Sequence, residues 1–283
     1  MSDVAPTLAA IVVNYNTPAL VQRLIDSIKQ HSRQIDYEVV VVNNGCRPDG
    51  RYLASAGSTF IRLIESPVNV GFGAAVNLAA RTCNQELLLF ANSDCRLDSN
   101  VIPKLAAFMS AHSGCAACSP RLIDERGAVH SSLRRFPTHD NIRNSRGAFF
   151  RSGGEYTIEA DQSRKPVEAM AATFMLVRRA DFEQIGGFDE RFFMYVEDTD
   201  LCRRFHDGGR ECWYLGDLDV THTWGASTRQ HRFLMKYHHH CSVYRYFTKH
   251  YPDQKWRNRW LALQLGVNLL LVWLRQLLPG ARP

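Results

Sequence analysis

Four consecutive valines, Val39, Val40, Val41 and Val42, constrain the fold of this chain more than any other stretch. β-Branched side chains pack well on an extended backbone, and an uninterrupted apolar run has no polar face to offer water. The segment from Tyr37 to Val42 is therefore a strand buried on both sides, and such a strand needs helices above and below it. The flanking sequence supplies them. Residues Leu8 to Val13 form another short apolar strand, after which Thr17 as N-cap and Pro18 at the first helical position open a helix with Leu20, Val21, Leu24, Ile25 and Ile28 on one face. Phe60 to Ile64 and Glu86 to Phe90 read as two further strands. Alternating strands and helices predict an α/β fold with a mostly parallel sheet.

In open α/β sheets ligands bind beyond the carboxyl ends of the strands, and polar residues gather there. The first strand runs into Asn14, Tyr15, Asn16 and Thr17, the second into Asn43, Asn44 and Gly45, and the fourth into Asn92, Ser93 and Asp94. Asp94 offers hard oxygen to Mg2+ or Mn2+ that would share its other positions with phosphates; the plainer reading is an Asp turn closing a strand. Between the third and fourth strands, Asn69, Gly71, Gly73 and Asn77 mark a tight turn into a helix, whose N-terminus favours a diphosphate. Without the third glycine of the dinucleotide fingerprint, this pattern alone is more simply read as a turn.

Gly186 to Arg204 contains a dense acidic cluster around an aromatic segment: Asp189, Glu190, Glu197, Asp198 and Asp200. A helix beginning near Glu197 buries Leu201, Cys202 and Phe205, turns Arg203, Arg204 and Asp207 to water, and ends at Gly208 and Gly209. Glu197 and Asp198 then sit where the helix dipole favours anions, which suits a base or simply a helix start.

Length and composition, at 283 residues with 45% hydrophobic and 22% charged, permit one large domain or one domain with an appendage. The eight cysteines show no extracellular framework and the first residues lack a signal-peptide pattern, so a reduced, cytoplasmic protein is expected. Cys115 and Cys118 form a CxxC without a second pair and read as a buried strand rather than a zinc site. Residues 124–166 are polar, rich in Arg and Gly and without period, which predicts loops over the active face; strand character resumes at 167–177. The net charge of +6 is concentrated late, with eight Lys or Arg between 229 and 259. An apolar run from Trp260 to Leu278 follows, too interrupted by Gln264, Asn268, Arg275 and Gln276 for a clear membrane span. With Trp256, Trp260 and Trp273 it suits a helix lying in an anionic membrane interface, the alternative being a core or dimer-interface helix. The apolar tail beside the cations argues against nucleic acid as the partner. His238, His239 and His240 are one turn of the basic helix rather than a metal site.

The strand leading to Asn14 and Asn16, the strand ending Asn43-Asn44, the Asn69 to Asn77 helix start, the strand ending Asn92 and Asp94, and the Gly186 to Asp200 segment, in this order, resemble the family 2 glycosyltransferases of GT-A fold. Within that family the likeness is to the bacterial rhamnosyltransferase-like branch, and it covers about residues 7 to 250. His222, Gly225 and Ser227 are similar to the family's His-x-x-Gly-x-Ser. The resemblance implies a Rossmann-like catalytic domain over 1–228, with a donor half at about 1–123 and an acceptor half at about 124–228, followed by a basic and apolar helical extension at 229–283. It implies inverting transfer of a sugar, with dTDP-rhamnose the suggested donor, to a hydroxyl of a lipid-linked or cell-surface glycan on the inner face of the cytoplasmic membrane. By carry-over Asp198 is the base, with Glu197 the alternative. Asn14, Asn16, Asn43, Asn69, Gly71, Asn77, Asn92 and Asp94 bind the donor, and Asp94 with His222 holds the Mg2+ or Mn2+ ion. Two positions depart from the family pattern, since Asn43 stands where a nucleoside-recognising Asp is usual and Asn92 where the first Asp of Asp-x-Asp is usual. These substitutions raise two alternatives: an inactive nucleotide-sugar-binding homologue, or transfer of another sugar from a UDP- or GDP-sugar.

Overall fold

The computed structural model describes residues 6–45, 60–143, 157–223 and 232–277. In chain order the elements are β1 (Leu8–Asn14), α1 (Pro18–His31), β2 (Tyr37–Asn44), β3 (Ile61–Ser66), α2 (Phe72–Ala80), β4 (Leu87–Asn92), β5 (Cys95–Arg96), α3 (Val101–Ala111), β6 (Cys115–Ile123) and β7 (Leu133–Arg134). There follow α4 (His139–Arg143), β8 (Thr157–Ile158), β9 (Arg164–Val167), β10 (Ala169–Met170), β11 (Phe174–Arg178), α5 (Arg179–Gln184), α6 (Glu197–Asp207), β12 (Glu211–His222), α7 (Arg232–His250) and α8 (Lys255–Leu277).

The main sheet has nine strands in the order β3-β2-β1-β4-β11-β6-β12-β5, with β9 also paired to β12. Strands β1, β2, β3, β4, β6 and β12 run one way and β5, β9 and β11 run against them, so the sheet is mostly parallel. The valine run behaves as its composition demands. Val39 and Val41 enter one core with Val21, Leu24 and Ile28 of α1, while Val40 and Val42 enter the other with Ala75, Val76 and Ala79 of α2. Burying such a side chain fully stabilises the fold by about 1.5–3 kcal/mol, and all four valines are at most 1% exposed.

β1 lies between β2 and β4, so chain order reverses at β1 and leaves a crevice beyond its carboxyl end. The register pairs Asn14 with Asn43 and Val13 with Asn92, which brings the polar ends of three strands together. Thr17 differs from expectation. Its hydroxyl does not cap α1 but contacts Asn14 Oδ1 at 3.2 Å and Ser93 Oγ at 2.8 Å, because the Asn14 side chain already closes the turn by accepting from the Thr17 amide at 3.0 Å.

The stretch expected as loops holds β7, α4, β8 and part of β9 among its described residues. β7 and β8 join β10 in a small antiparallel sheet in the order β10-β7-β8. Cys115 and Cys118 are buried on β6. At the other end, Val243, Tyr246 and Phe247 of α7 and Leu261 and Leu265 of α8 share a third core with Ile142, Phe192 and Val196. The three histidines of α7 part ways: His238 stacks on Phe193 at 4.3 Å, His239 meets the Tyr195 ring edge-on at 5.5 Å, and His240 Nε2 lies 3.0 Å from Asn268 Oδ1 of α8.

Candidate active site

The strand ends build a network of amides. Asn14 Nδ2 donates to Asn43 Oδ1 at 2.9 Å, and Asn43 Nδ2 donates to Glu65 Oε1 of β3 at 2.8 Å. Asn14 and Asn43 are each 1% exposed, so these bonds fix two side chains that burial would otherwise penalise. Asn16 is exposed beside them in left-handed backbone at φ 59°, a conformation Asn tolerates. Asn92 is half-buried at the end of β4, which runs two residues past the predicted strand.

Asn69, Gly71 and Asn77 are organised differently from the expected phosphate cradle. Asn69 Oδ1 accepts from the Gly71 amide at 3.0 Å and from Asn44 Nδ2 at 3.0 Å, while the Phe72 amide donates to the Phe193 carbonyl at 3.1 Å. The amides of Gly71 and Phe72 at the start of α2 are thus occupied by protein. Asn77 donates to the Phe188 carbonyl at 2.8 Å and to Glu190 Oε1 at 3.0 Å, and accepts from the Phe188 amide at 2.9 Å. Gly71 and Asn77 thus join α2 to the Gly186–Asp200 segment, while Asn69 closes the turn before the helix.

Asp94 and His222 come together across β5 and β12, with His222 Nε2 3.1 Å from Asp94 Oδ1. Cys95 completes a group whose ligand atoms all lie within 4.8 Å of one another. Burial, then the Asp94 charge, hold the Cys95 thiol well above its ordinary value, so the carboxylate and imidazole are the ready donors. A carboxylate oxygen with one imidazole and few other protein ligands fits a divalent cation that takes its remaining ligands from phosphate. Of the motif beginning at His222, Gly225 and Ser227 lie outside the described residues.

On the base side, α6 starts at Glu197 as predicted, with Leu201, Cys202 and Phe205 at 0% exposure and Gly208 following its last residue. Arg204 does not face water. Its guanidinium donates to Asp200 Oδ2 at 2.8 Å and to the carbonyls of Ile185 and Gly187 at 2.9 and 2.6 Å, because Asp200 points inward and needs a cation. Asp200 is wholly buried, and its pKa is lowered although burial alone would raise it, since His250, Arg204 and Lys249 outweigh desolvation. Asp198 keeps Oδ1 on its own helix start, accepting from the Thr199 amide at 2.7 Å, and turns Oδ2 toward Arg134 Nη1 at 3.5 Å. Glu197 is 8% exposed, and desolvation followed by the Asp198 charge pushes its pKa up to about 8. Its Oε2 has no hydrogen-bond partner among the described residues. Burial therefore favours the protonated form of Glu197.

Arg134 and His130 escaped the sequence reading. Arg134 contacts Asp198, and the His130 ring lies 6.2 Å from that of His222. Four residues of extended chain span at most about 14 Å, so this one short segment links the Asp94–His222 pair to Asp198. Nothing in the spacing could have found them, because the partners are distant in the chain and no period marks the segment.

A model of glycosyl transferase family 2 matches residues 9–186. The chain is 27% identical over 261 residues to the N-acetylglucosaminyl-diphospho-decaprenol L-rhamnosyltransferase of Mycobacterium tuberculosis, covering 86% of this chain and 84% of that protein. It is 25% identical over 224 residues to a rhamnosyltransferase of Escherichia coli strain K12, covering 75% of this chain and 81% of the relative. Among solved structures, a mannosyltransferase from Pyrobaculum calidifontis in complex with GDP-Man and Mn2+ superposes with a TM-score of 0.58 at 16% identity, covering 99% of this chain and 79% of that one.

Proposed function

The chain belongs to glycosyl transferase family 2 and is a glycosyltransferase, and from that membership we propose that it moves L-rhamnose from dTDP-rhamnose, with inversion, to a hydroxyl of a lipid-linked glycan. The sugar and the lipid-diphosphate acceptor class follow the rhamnosyltransferase relatives. The observation that supports the reading is the segment from His130 to Arg134, which lies against the Asp94–His222 pair at one end and against Asp198 at the other.

In this reading the acceptor hydroxyl attacks the anomeric carbon as the bond from that carbon to the diphosphate oxygen breaks. Asp198 takes the hydroxyl proton. Arg134 orients the Asp198 carboxylate, and burial raises the pKa of Glu197 beside it, which disfavours a second negative charge there. Inversion follows from a single displacement assisted by one base. The dTDP moiety lies over the ends of β1, β2 and β4, against Asn14, Asn16, Asn43 and Asn92, with its diphosphate toward Asp94. Asp94 and His222 would hold Mg2+ or Mn2+, which when bound offsets the charge of the departing diphosphate.

α8 supports a membrane-bound acceptor. Trp256, Trp260, Leu263, Val267, Leu270 and Leu274 are exposed, and their spacing sets them along one helical face. No helix among the described residues is long and apolar enough to cross a membrane. The stripe suits a helix of about 35 Å lying flat in an anionic interface, with Lys255, Arg257 and Arg259 at its start.

The test is turnover of dTDP-rhamnose on a short-prenyl N-acetylglucosaminyl diphosphate, followed by mass spectrometry, with UDP- and GDP-sugars as competitors. A rhamnosyl product that Asp198→Asn lowers by about 10²- to 10⁴-fold is expected. A product from another donor alone, or an unimpaired Asp198→Asn, refutes the corresponding part of the reading.

A further inference from the structure

The segment that carries the base is strained where it meets α6. Tyr195 and Val196 both have φ 66°, a left-handed backbone that a β-branched residue rarely adopts. Strain of this kind persists only where surrounding contacts over-determine it, and here the contacts come from α7. Lys249 Nζ lies 2.8 Å from Asp189 Oδ2 and 2.7 Å from Asp200 Oδ1, so one ammonium joins the two ends of the segment. Between them the same ammonium sits 5.7 Å from the centre of the Phe192 ring, and Ser242 Oγ donates to the Met194 carbonyl at 2.8 Å. Val243, Tyr246 and Phe247 pack with Phe192 and Val196 beneath it.

We propose that Lys249 is a positioning residue for the base: by bridging Asp189 and Asp200 it closes the segment between them, holds Tyr195 and Val196 in left-handed backbone, and so fixes Asp198 at the start of α6. A compact ammonium with three donors can serve two separate carboxylates, whereas a guanidinium fork favours one. The inference rests on Asp198 as the base. It gives α7 a part in catalysis that its basic composition, suggestive of a membrane surface, does not announce.

The test compares Lys249→Met, Asp189→Asn and the double variant with wild type on dTDP-rhamnose and the short-prenyl acceptor. Asp200 keeps Arg204 and His250 in Lys249→Met, so its charge stays compensated. A misplacement of about 1 Å can cost on the order of 10² in rate. The expected result is a kcat lowered about 10- to 100-fold with donor KM within about threefold of wild type, since Lys249 pairs with Asp189 and Asp200 rather than with the strand-end asparagines. The double variant should be no worse than the poorer single, because both remove one bridge. Amide exchange in 192–200 should quicken while that of β1 to β4 stays unchanged. A kcat within threefold of wild type, a donor KM that rises as kcat falls, or additive losses would overturn the inference. If Lys249→Met does not fold, Asp189→Asn applies the same criteria from the other end of the bridge. Asp198→Asn separates the two claims: full turnover there sinks the base assignment, whereas a silent Asp198→Asn beside a normal Lys249→Met sinks the bridge. Should wild type fail to use this donor pair, the exchange comparison still decides whether Lys249 holds the segment.

Discussion

Glu197→Gln should make the protein more stable at neutral pH while leaving its shape intact. In the folded chain Glu197 is pushed up to about 8 from an ordinary 4.5, first by burial and then by the Asp198 charge. A group that holds its proton more tightly when folded stabilises the fold fully below its unfolded value, and that stability is lost as pH rises toward the folded value. Its window therefore runs from about 4.5 to about 8. Each unit of displacement corresponds to about 1.4 kcal/mol, so at pH 7 the wild type has forgone about 3 kcal/mol. Gln has the same shape and no charge, so it matches the protonated glutamate and carries no such loss. For a chain of this size about 3 kcal/mol is roughly 6–12 °C in Tm.

The assay is thermal unfolding of wild type and Glu197→Gln from pH 4.5 to 8, each held at constant ionic strength. The two should melt together near pH 4.5 and diverge steadily as pH rises, with the variant higher. Melting curves that track within about 2 °C across the range would refute the argument that Glu197 is neutral in the folded protein. Turnover adds a second reading. If Asp198 is the base, Glu197→Gln keeps turnover within about tenfold at pH 7, since Gln keeps the shape of the protonated glutamate.

Asp94→Ala should weaken Mn2+ binding at least about tenfold by calorimetry in the presence of dTDP, because a carboxylate is the strongest hard donor in that group; unchanged affinity would remove Asp94 and His222 as the ion's holders. Replacing Trp256, Trp260 and Trp273 together by Ser should abolish co-sedimentation with anionic liposomes, each exposed apolar side chain contributing about 1.5–3 kcal/mol when buried. Equal pelleting of that variant and wild type would assign the stripe to another partner.

The valine run was legible because only one environment tolerates it, and the buried face of α6 was legible because Leu201, Cys202 and Phe205 repeat with the helix. Charge was less legible. A lysine or arginine on a helix is read by default as solvated, yet Arg204 and Lys249 are drawn inward by Asp200, which is wholly buried and pairs with both. Whether a charge faces water depends on a partner that a single sequence does not name. Arg134 failed to announce itself for the same reason. The strand-end asparagines were found because topology alone puts them at the crevice, but their bonds to one another depend on register, which one residue of slip would have changed.

The two glycine motifs turn out to be halves of one joint. A Cβ at Gly71 would lie 2.2 Å from the Phe193 carbonyl oxygen, one at Gly73 would lie 2.9 Å from Phe188 Cβ, and one at Gly187 would lie 2.6 Å from Asn77 Oδ1. Glycines at 71 and 73, which alone suggest a phosphate loop, and the glycine at 187, which alone suggests a turn, let α2 and the catalytic segment approach until backbone meets backbone. On its opposite side that segment is held by α7 through Lys249 and Ser242. A base carried on strained backbone needs support from both directions, since contact on one side would let Tyr195 and Val196 relax away from it. Helices α2 and α7 thus meet across the residues from Asp189 to Asp200. The acidity of that segment follows from the same need, with Asp189 and Asp200 reaching Lys249 of α7 and Glu190 reaching Asn77 and Arg81 on the α2 side, which leaves Asp198 to meet Arg134.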